Sequence, residues 1–246
     1  MSRKLHKFQT VAEYQAYSAS TEYTTPCVAL IVDTNVIYYD YGSNKPQAPD
    51  LSDFKGEFQE SSVGGDKFGR DAITKINYIP SSITDLRDAF NGFTSIVTAP
   101  EIPSGVTSLS YTFYYCKSLV NAPKIPSGVT NMGGTFYECR SLVNAPKIPI
   151  GVTNMGATFG YCTSLVNSPE IPSGVTNVYN TFNNCTSLKE VTLLITTPLS
   201  YNSTLDSCPK LESIYVLDSA LEDYRTATGW SQFASKFKPL SSKPSE

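Results

Sequence analysis

Charge is scarce in this sequence. Only 17% of its 246 residues are charged and the formal net charge is -3, so there is no basic excess with which to neutralise a phosphate backbone, and nucleic acid is excluded as a partner. There is one histidine, His6, in a polar N-terminal run. An isolated imidazole there reads as a surface residue and leaves no histidine for a metal site or a general base elsewhere. No apolar run approaches the roughly 18 residues of a membrane-spanning helix, so no membrane span is expected. The opening, "MSRKLHKFQTVAEYQAY", is basic but lacks the apolar stretch of about 7 to 15 residues that marks a secretory signal. The sequence has no GxGxxG, no Walker motif and no paired carboxylates placed for acid–base work, and "GGD" at 64–66 reads as a loop. The expectation is a protein that is not an enzyme and takes no cofactor and no metal.

What the sequence does contain is repetition. Thr84, Thr107, Thr130, Thr153 and Thr176 recur every 23 residues, as do Cys116, Cys139, Cys162, Cys185 and Cys208. Phe93 holds the cysteine position one rung earlier. Leu119, Leu142, Leu165, Leu188 and Leu211 form a third column, with Ile96 before them. Phe90, Phe113, Phe136, Phe159 and Phe182 form a fourth, ending in Leu205, and Ile79, Ile102, Ile125, Ile148 and Ile171 a fifth. Several apolar columns sharing one period in the twenties identify a solenoid, whose units bury their apolar side chains only against their neighbours. The fold class follows: an α/β solenoid of about six repeats over residues 71–220, with short parallel strands and turn or short helical segments. "SLVNAPKIP" should carry the strand, limited to two or three ladder residues by Pro123, Pro146 and their equivalents, which lack an N–H. "TNMGGTFYEC" should be a tight turn or a single helical turn that points its phenylalanine inward. "CTSLKEVTLLI" and "CPKLESIYVL" lack the internal proline, so the C-terminal part of the sheet should be the most regular.

The cysteines admit four roles. Zinc needs ligands that converge, commonly in close pairs, whereas these are strung along an axis. Stacked cysteines fall near the lower end of bridgeable Cα separations, but parallel Cβ vectors entering a packed core make poor disulfide partners. A nucleophile needs a base and an electropositive pocket. The remaining role is a ladder of free thiols, each a compact buried hydrophobe, consistent with folding in a reducing compartment. Cys27, outside the array, reads as a strand residue. Two asparagine columns, Asn121, Asn144, Asn167 and Asn131, Asn154, Asn177, should staple the corners through their amides. Along the surface row Glu101, Lys124, Lys147, Glu170, neighbours should pair as Glu101–Lys124 and Lys147–Glu170, each pair worth about 0.2–1 kcal/mol if exposed.

The ends differ from the array. Residues 1–40 read as a small docking module, a helix from Val11 to Tyr17 capped by Thr10 and Glu13, then a β-hairpin in "CVALIVDTNVIYYDY". Residues 41–70, rich in Gly, Ser and Pro, read as an irregular linker. Residues 221–246 read as a helical cap and tail, with Asp218 or Ser219 as N-cap and Trp230 covering the exposed columns of the last rung.

The repeats "FYYCKSLVNAPKIPSGVTNM", "FYECRSLVNAPKIPIGVTNM", "FGYCTSLVNSPEIPSGVTNV" and "FNNCTSLKEVTLL", with the ending "IYVLDSALEDYRTATGWSQFA", resemble the BspA-like leucine-rich repeat family. The three middle rungs depart from the family pattern by an inserted Ala-Pro or Ser-Pro. The N-terminal "LHKFQTVAEYQAY" and "TTPCVALIVDTNVIYYD" resemble leader modules of gut Bacteroidetes and phage proteins. The resemblance implies a non-catalytic binding or adhesion protein. Two settings follow: a phage virion component, such as a head or tail fibre or decoration, folded in the host cytoplasm and released by lysis; or a bacterial cell-surface protein recognising a host protein or glycan. Either way residues 1–70 would join a larger assembly. The candidate partner-binding surface is the set of variable positions near the cysteines: Tyr111, Tyr114, Tyr115, Tyr137, Tyr161, Tyr179 and Asn183. Tyrosines grouped on one edge can stack on sugars or pack against protein.

Overall fold

The computed structural model describes residues 83–244 continuously, together with residues 5–8, 27–31, 36–40, 56–58, 73–76, 79 and 81. Over the array the 23-residue units stack, and like side chains form continuous interior columns. Phe90, Phe113, Phe136, Phe159 and Phe182 are buried, their rings stacked at 5.3, 5.7, 5.6 and 5.6 Å between centroids. The isoleucine and leucine columns lie beside them, as do Val106, Val129, Val152 and Val175, together with Met132 and Met155. No unit could bury a phenylalanine alone, so the stack itself is the core.

The cysteines stand in this interior as free thiols; Cys116, Cys139, Cys162 and Cys185 are buried and Cys208 is partly so. They do more than fill space. Each Sγ donates to the carbonyl oxygen of the phenylalanine in the preceding rung, from Cys116 to Phe90 through Cys208 to Phe182, at 3.0–3.1 Å. Beside them runs a column that the apolar pattern concealed: Thr112, Thr135, Thr158, Thr181 and Thr204, all buried. Each hydroxyl donates to a carbonyl 26 residues earlier, that of Thr135 to Leu109 at 2.9 Å and that of Thr158 to Met132 at 2.8 Å. Each of these carbonyls also accepts the backbone N–H three residues on, so the thiol or hydroxyl fills its second acceptor site in the interior.

Turns, not helices, make the side that carries phenylalanine; no helix occurs between residues 83 and 217. Alternate N–H groups reach the next rung, as from Leu109, Tyr111, Phe113 and Tyr115 to the carbonyls of Asn131, Gly133, Thr135 and Tyr137. Those between turn back three residues, as from Thr112 to Leu109 and Cys116 to Phe113. A helix would have spent all these donors within the rung. One asparagine column staples this segment: Asn154 Nδ2 donates to Asn131 Oδ1 at 3.0 Å and Asn177 Nδ2 to Asn154 Oδ1 at 2.9 Å. The Oδ1 atoms of Asn131, Asn154 and Asn177 also accept from the backbone two residues on, at Gly133, Gly156 and Tyr179. The other column is slighter, one amide contact from Asn144 to Asn121 at 3.4 Å.

On the strand side the prolines decide. Where Pro123 and Pro146 interrupt the rung, the ladder shrinks to single bridges, Thr98 to Asn121 and Asn121 to Asn144. Longer strands begin at β6 (Asn167–Ile171), followed by β7 (Glu190–Leu193) and β8 (Ser213–Val216), all parallel. β7 and β8 pair over four consecutive residues, whereas β6 and β7 lose register between Asn167 and Glu170, across Pro169. The expected regularity of the C-terminal sheet is therefore present.

The N-terminal region contains a three-stranded sheet, β1 (Leu5–Phe8), β2 (Cys27–Ile31) and β3 (Val36–Asp40), with β1 parallel and β3 antiparallel to the central β2. The hairpin and the strand position of Cys27 match the sequence reading, and His6 lies in β1. The expected helix Val11–Tyr17 falls outside the described residues. Within the segment read as an irregular linker, β4 (Gly56–Phe58) pairs antiparallel with β5 (Ile73–Ile76), so that segment is not wholly irregular: the extended backbone of β5 offers N–H and C=O groups for a ladder.

The C-terminal cap is mixed rather than helical. After β8 come a 3-10 turn (Asp218–Ala220), helix α1 (Leu221–Thr226) and a second 3-10 segment (Ser231–Lys236). The chain then adds β9 (Phe237–Pro239), parallel to β8, to the open edge of the sheet. Neither Asp218 nor Ser219 caps a helix by its side chain. The Asp218 carboxylate instead accepts from the backbone N–H and hydroxyl of Ser241, at 3.1 and 2.6 Å, tying down the tail. Trp230 is buried against Tyr224 and Tyr201, and its indole N–H donates to the Leu199 carbonyl at 2.7 Å. Gly229 makes the turn at φ +79, where a Cβ would meet Tyr201 at 2.7 Å.

Candidate recognition surface

The tyrosines of interest sit on the stacked turns, and turn geometry displays them. Two positions in every rung have positive φ. One is the series Asp88, Tyr111, Gly134, Ala157, Asn180 and Ser203; the other is Gly92, Tyr115, Glu138, Tyr161, Asn184 and Ser207. A left-handed residue that is not glycine costs roughly 1–2 kcal/mol. Recurrence of the pair in every rung makes it a property of the turn, held by the hydrogen bonds between rungs. Tyr111, Tyr115 and Tyr161 all occupy such positions.

Five of the seven expected residues form one aromatic ridge across neighbouring rungs. Tyr114 stacks on Tyr137 with centroids 4.8 Å apart and planes 8° from parallel. Tyr111 and Tyr115 meet the Tyr114 ring edge-on at 5.4 and 4.7 Å, and Tyr137 meets Tyr161 at 5.3 Å. Tyr179 and Asn183 stand apart. Tyr179 is 53% exposed and makes no ring contact with the others among the described residues, and the Asn183 side-chain oxygen accepts from Asn184. The reason lies in the sequence of the intervening rung: Ala157 and Gly160 offer no ring to continue the stack.

Those small residues also serve as seats. A Cβ on Gly134 would lie 2.5 Å from the Tyr111 ring, and one on Gly160 2.8 Å from that of Tyr137. Each ring therefore lies flat on a glycine one rung further on, a relation legible as tyrosine followed by glycine 23 residues later. Glu138, nearly buried in the same turn, is held by the Arg140 guanidinium, with Nε 2.6 Å from Oε2. Lys117 places its ammonium 5.5 Å from the centre of the Tyr115 ring. Burial, reinforced by the neighbouring tyrosines, pushes the Tyr114 phenol up to about 12 and raises that of Tyr137. The ridge is thus a row of rings able to stack and of hydroxyls able to hydrogen-bond, in positions fixed by the turns that carry them.

The charged row behaves differently from expectation. Glu101, Lys124, Lys147 and Glu170 are all exposed, and none is ion-paired with another; the ion pairs among the described residues join Arg87 to Asp85, Arg140 to Glu138 and Arg225 to Glu222. In full solvent the small attraction does not repay the side-chain entropy of holding two long chains together. Among the described residues no helix is long and apolar enough to cross a membrane, and no cluster of three or more His, Cys, Asp or Glu could hold a metal ion.

Comparison with known proteins agrees with this architecture. The BspA type leucine rich repeat region matches in 6 copies, over residues 61–181 and 157–227. The chain belongs to this family. A leucine-rich repeat protein of T. pallidum has 20% identity, with 69% of this chain and 81% of that chain aligned at a TM-score of 0.48. One from Bacteroides ovatus ATCC 8483 has 22% identity, with 54% and 35% aligned at a TM-score of 0.40. No curated protein matches. Leucine-rich repeat proteins of this type are in general binding or structural proteins, and protein is the partner such domains suggest.

Proposed function

We propose that this BspA-type leucine-rich repeat protein is a non-catalytic binding protein and that the tyrosine ridge contacts a protein partner. The observation that carries this reading is the seating of Tyr111 and Tyr137 on Gly134 and Gly160. The rings are ordered in advance, so a partner gains aromatic contact area at small entropic cost. Interfaces are enriched in such tyrosines. A photo-crosslinking residue at Tyr111 should capture a protein in the native host, and the triple variant Tyr111→Ala/Tyr115→Ala/Tyr161→Ala should lower that partner's affinity by at least about tenfold. A glycan array run in parallel tests the sugar alternative. Glycan binding lost in the triple variant, with no protein adduct, would replace the protein reading.

Within the same proposal, residues 1–70 attach the chain to a larger assembly. The supporting observation is the resemblance of the leader to those of gut Bacteroidetes and phage proteins. The assembly is proposed to be a phage particle, with the bacterial cell surface as the alternative setting. Removing residues 1–70 should leave a folded array, judged by circular dichroism, that no longer enters its assembly; incorporation of the shortened chain would refute the assignment.

A further inference from the structure

A second surface lies on a different part of every rung, where the prolines are. A groove of about 1120 Å³ runs along the array from Ile79 to Leu194, walled by the Ile-Pro pairs 102–103, 125–126 and 148–149 and by Pro172. Ile102, Ile125 and Ile148 form its floor at 4–5% exposure. Its origin is the inserted proline. No backbone hydrogen bond joins residues 122–128 to residues 145–151 of the next rung, so the ladder opens here while the isoleucine column below stays closed.

Three features define what such a groove would accept. Along it run Glu101, Lys124, Lys147 and Glu170, a charge order of minus, plus, plus, minus, in no ion pair among the described residues. Successive rungs are about 4.8 Å apart, so the row spans on the order of 14 Å, the length of four or five extended residues. Finally, the corner position held by Ser104, Ser127 and Ser173 is Ile150 in one rung, 82% exposed beside the lysines. One exposed isoleucine is unremarkable by itself; beside an open charge row it adds an apolar contact.

The charge order also discriminates between occupants. A polyanion would meet the two lysines and be repelled at both ends, which disfavours nucleic acid and anionic lipid. A second copy docked in register about a two-fold axis would set Glu101 against Glu170 and Lys124 against Lys147, like against like throughout. We propose that the groove binds an extended peptide segment of a partner protein whose charges run plus, minus, minus, plus, with its apolar side chains against Ile150 and the isoleucine floor. Charge complementarity of this kind fixes register and partner choice more than raw affinity.

The test uses the full chain and three fluorescent peptides in an anisotropy titration. One carries Lys-Glu-x-Glu-Lys with a small apolar residue at x, so that its charges span about 13 Å when extended; the second has every charge reversed, and the third carries only glutamates. The first should bind at least about tenfold tighter than either other, with an affinity that falls as salt rises. The exposed double variant Lys124→Glu/Lys147→Glu should lose that preference while keeping its circular dichroism spectrum. Equal binding of the all-acidic peptide, or a preference unchanged in the variant, would overturn the proposal. So would a wild-type dimer in sedimentation that the variant abolishes, since the occupant would then be a second copy.

Discussion

The middle rungs and the C-terminal rungs share one core but have different sheets. From Phe113 to Phe182 the phenylalanine, cysteine and threonine columns run without a break, yet the strand side changes from single bridges at Asn121 and Asn144 to the continuous pairing of β7 with β8. The difference shows that stacking does not depend on the strand ladder. In the proline-bearing rungs the turn-side hydrogen bonds, the asparagine column and the thiol and hydroxyl donors hold neighbours together, and the proline segment is free to form a groove. In the last rungs backbone pairing takes over and the groove closes. If this is right, interior side chains should matter alike in both regions, while backbone and polar changes should separate them.

The largest loss should come from the shared core. Phe136→Ala, which interrupts the ring stack in a middle rung, should cost about 3–5 kcal/mol, and Ile214→Ala, in β8, about 2–5 kcal/mol. Both are read from urea unfolding followed by circular dichroism. A Phe136→Ala loss below about 1 kcal/mol would mean that the middle rungs are held by something other than their interior.

Alkaline pH should come next. Burial raises the thiols of Cys116, Cys139, Cys162 and Cys185 above their ordinary value of 9.0, and that of Cys208 to about 11. Above pH 9 the unfolded chain sheds these protons and the folded chain keeps them, so the unfolded state binds fewer protons and stability falls as pH rises. The contribution is whole below pH 9 and shrinks by about 1.4 kcal/mol per pH unit for each thiol. Cys208→Ala should flatten the decline only between about pH 9 and 11, whereas Cys139→Ala should flatten it beyond that range as well. Identical slopes for the two variants would refute a graded burial of the thiols along the array.

Much of this was legible in the sequence. Leu119, Ile125, Phe136 and Trp230 are where the period and the cap pattern place them, because an apolar side chain at a fixed spacing has one destination in a solenoid. The threonine column at Thr112–Thr204 repeats as strictly as the cysteines, but a hydroxyl at a fixed period is equally at home on the surface, so its burial is not legible from spacing alone. The thiols were read as filler for a related reason: sulfur's apolar character is visible in sequence and its donor geometry is not. The cap strand β9 and the glycine seats escaped because each depends on a partner distant in sequence, Val216 for Pro239 and Tyr111 for Gly134. Propensity is local and cannot register such pairs. The aromatic ridge was visible as a group of tyrosines, but its end before Tyr179 required knowing that Ala157 and Gly160 lie in the path of the stack.

Thr135→Val should show how far the interior polar donors substitute for a ladder. The hydroxyl lies 2.9 and 2.7 Å from the Leu109 and Met132 carbonyls and shares its one proton between them, and valine keeps the shape while removing the donor. The expected cost is about 1–1.5 kcal/mol, the loss of one buried hydrogen bond to carbonyls that keep their backbone donors. Thr192→Val, in β7, should cost less, since backbone pairing already holds that strand. Equal losses at the two sites would mean that the two regions rely on side-chain donors to the same degree.

The smallest effect should be at the junction of the regions. β6 carries Pro169 and still pairs with β7, which the rungs of Pro123 and Pro146 do not manage with theirs. The residue before each proline is Ala122, Ala145 and Ser168 in turn. Ser168 Oγ accepts the Thr192 N–H at 3.1 Å and donates to the Pro169 carbonyl at 2.8 Å, spanning the place where the register slips. The hydroxyl thus supplies the acceptor that the bulged backbone cannot present. Ser168→Ala, which gives this rung the alanine of its neighbours, should cost about 1 kcal/mol. It should also speed hydrogen exchange at the Thr192 amide while leaving that of Ile214 unchanged. An unaltered Thr192 rate would place the boundary between the two regions in β7 itself rather than in one serine hydroxyl.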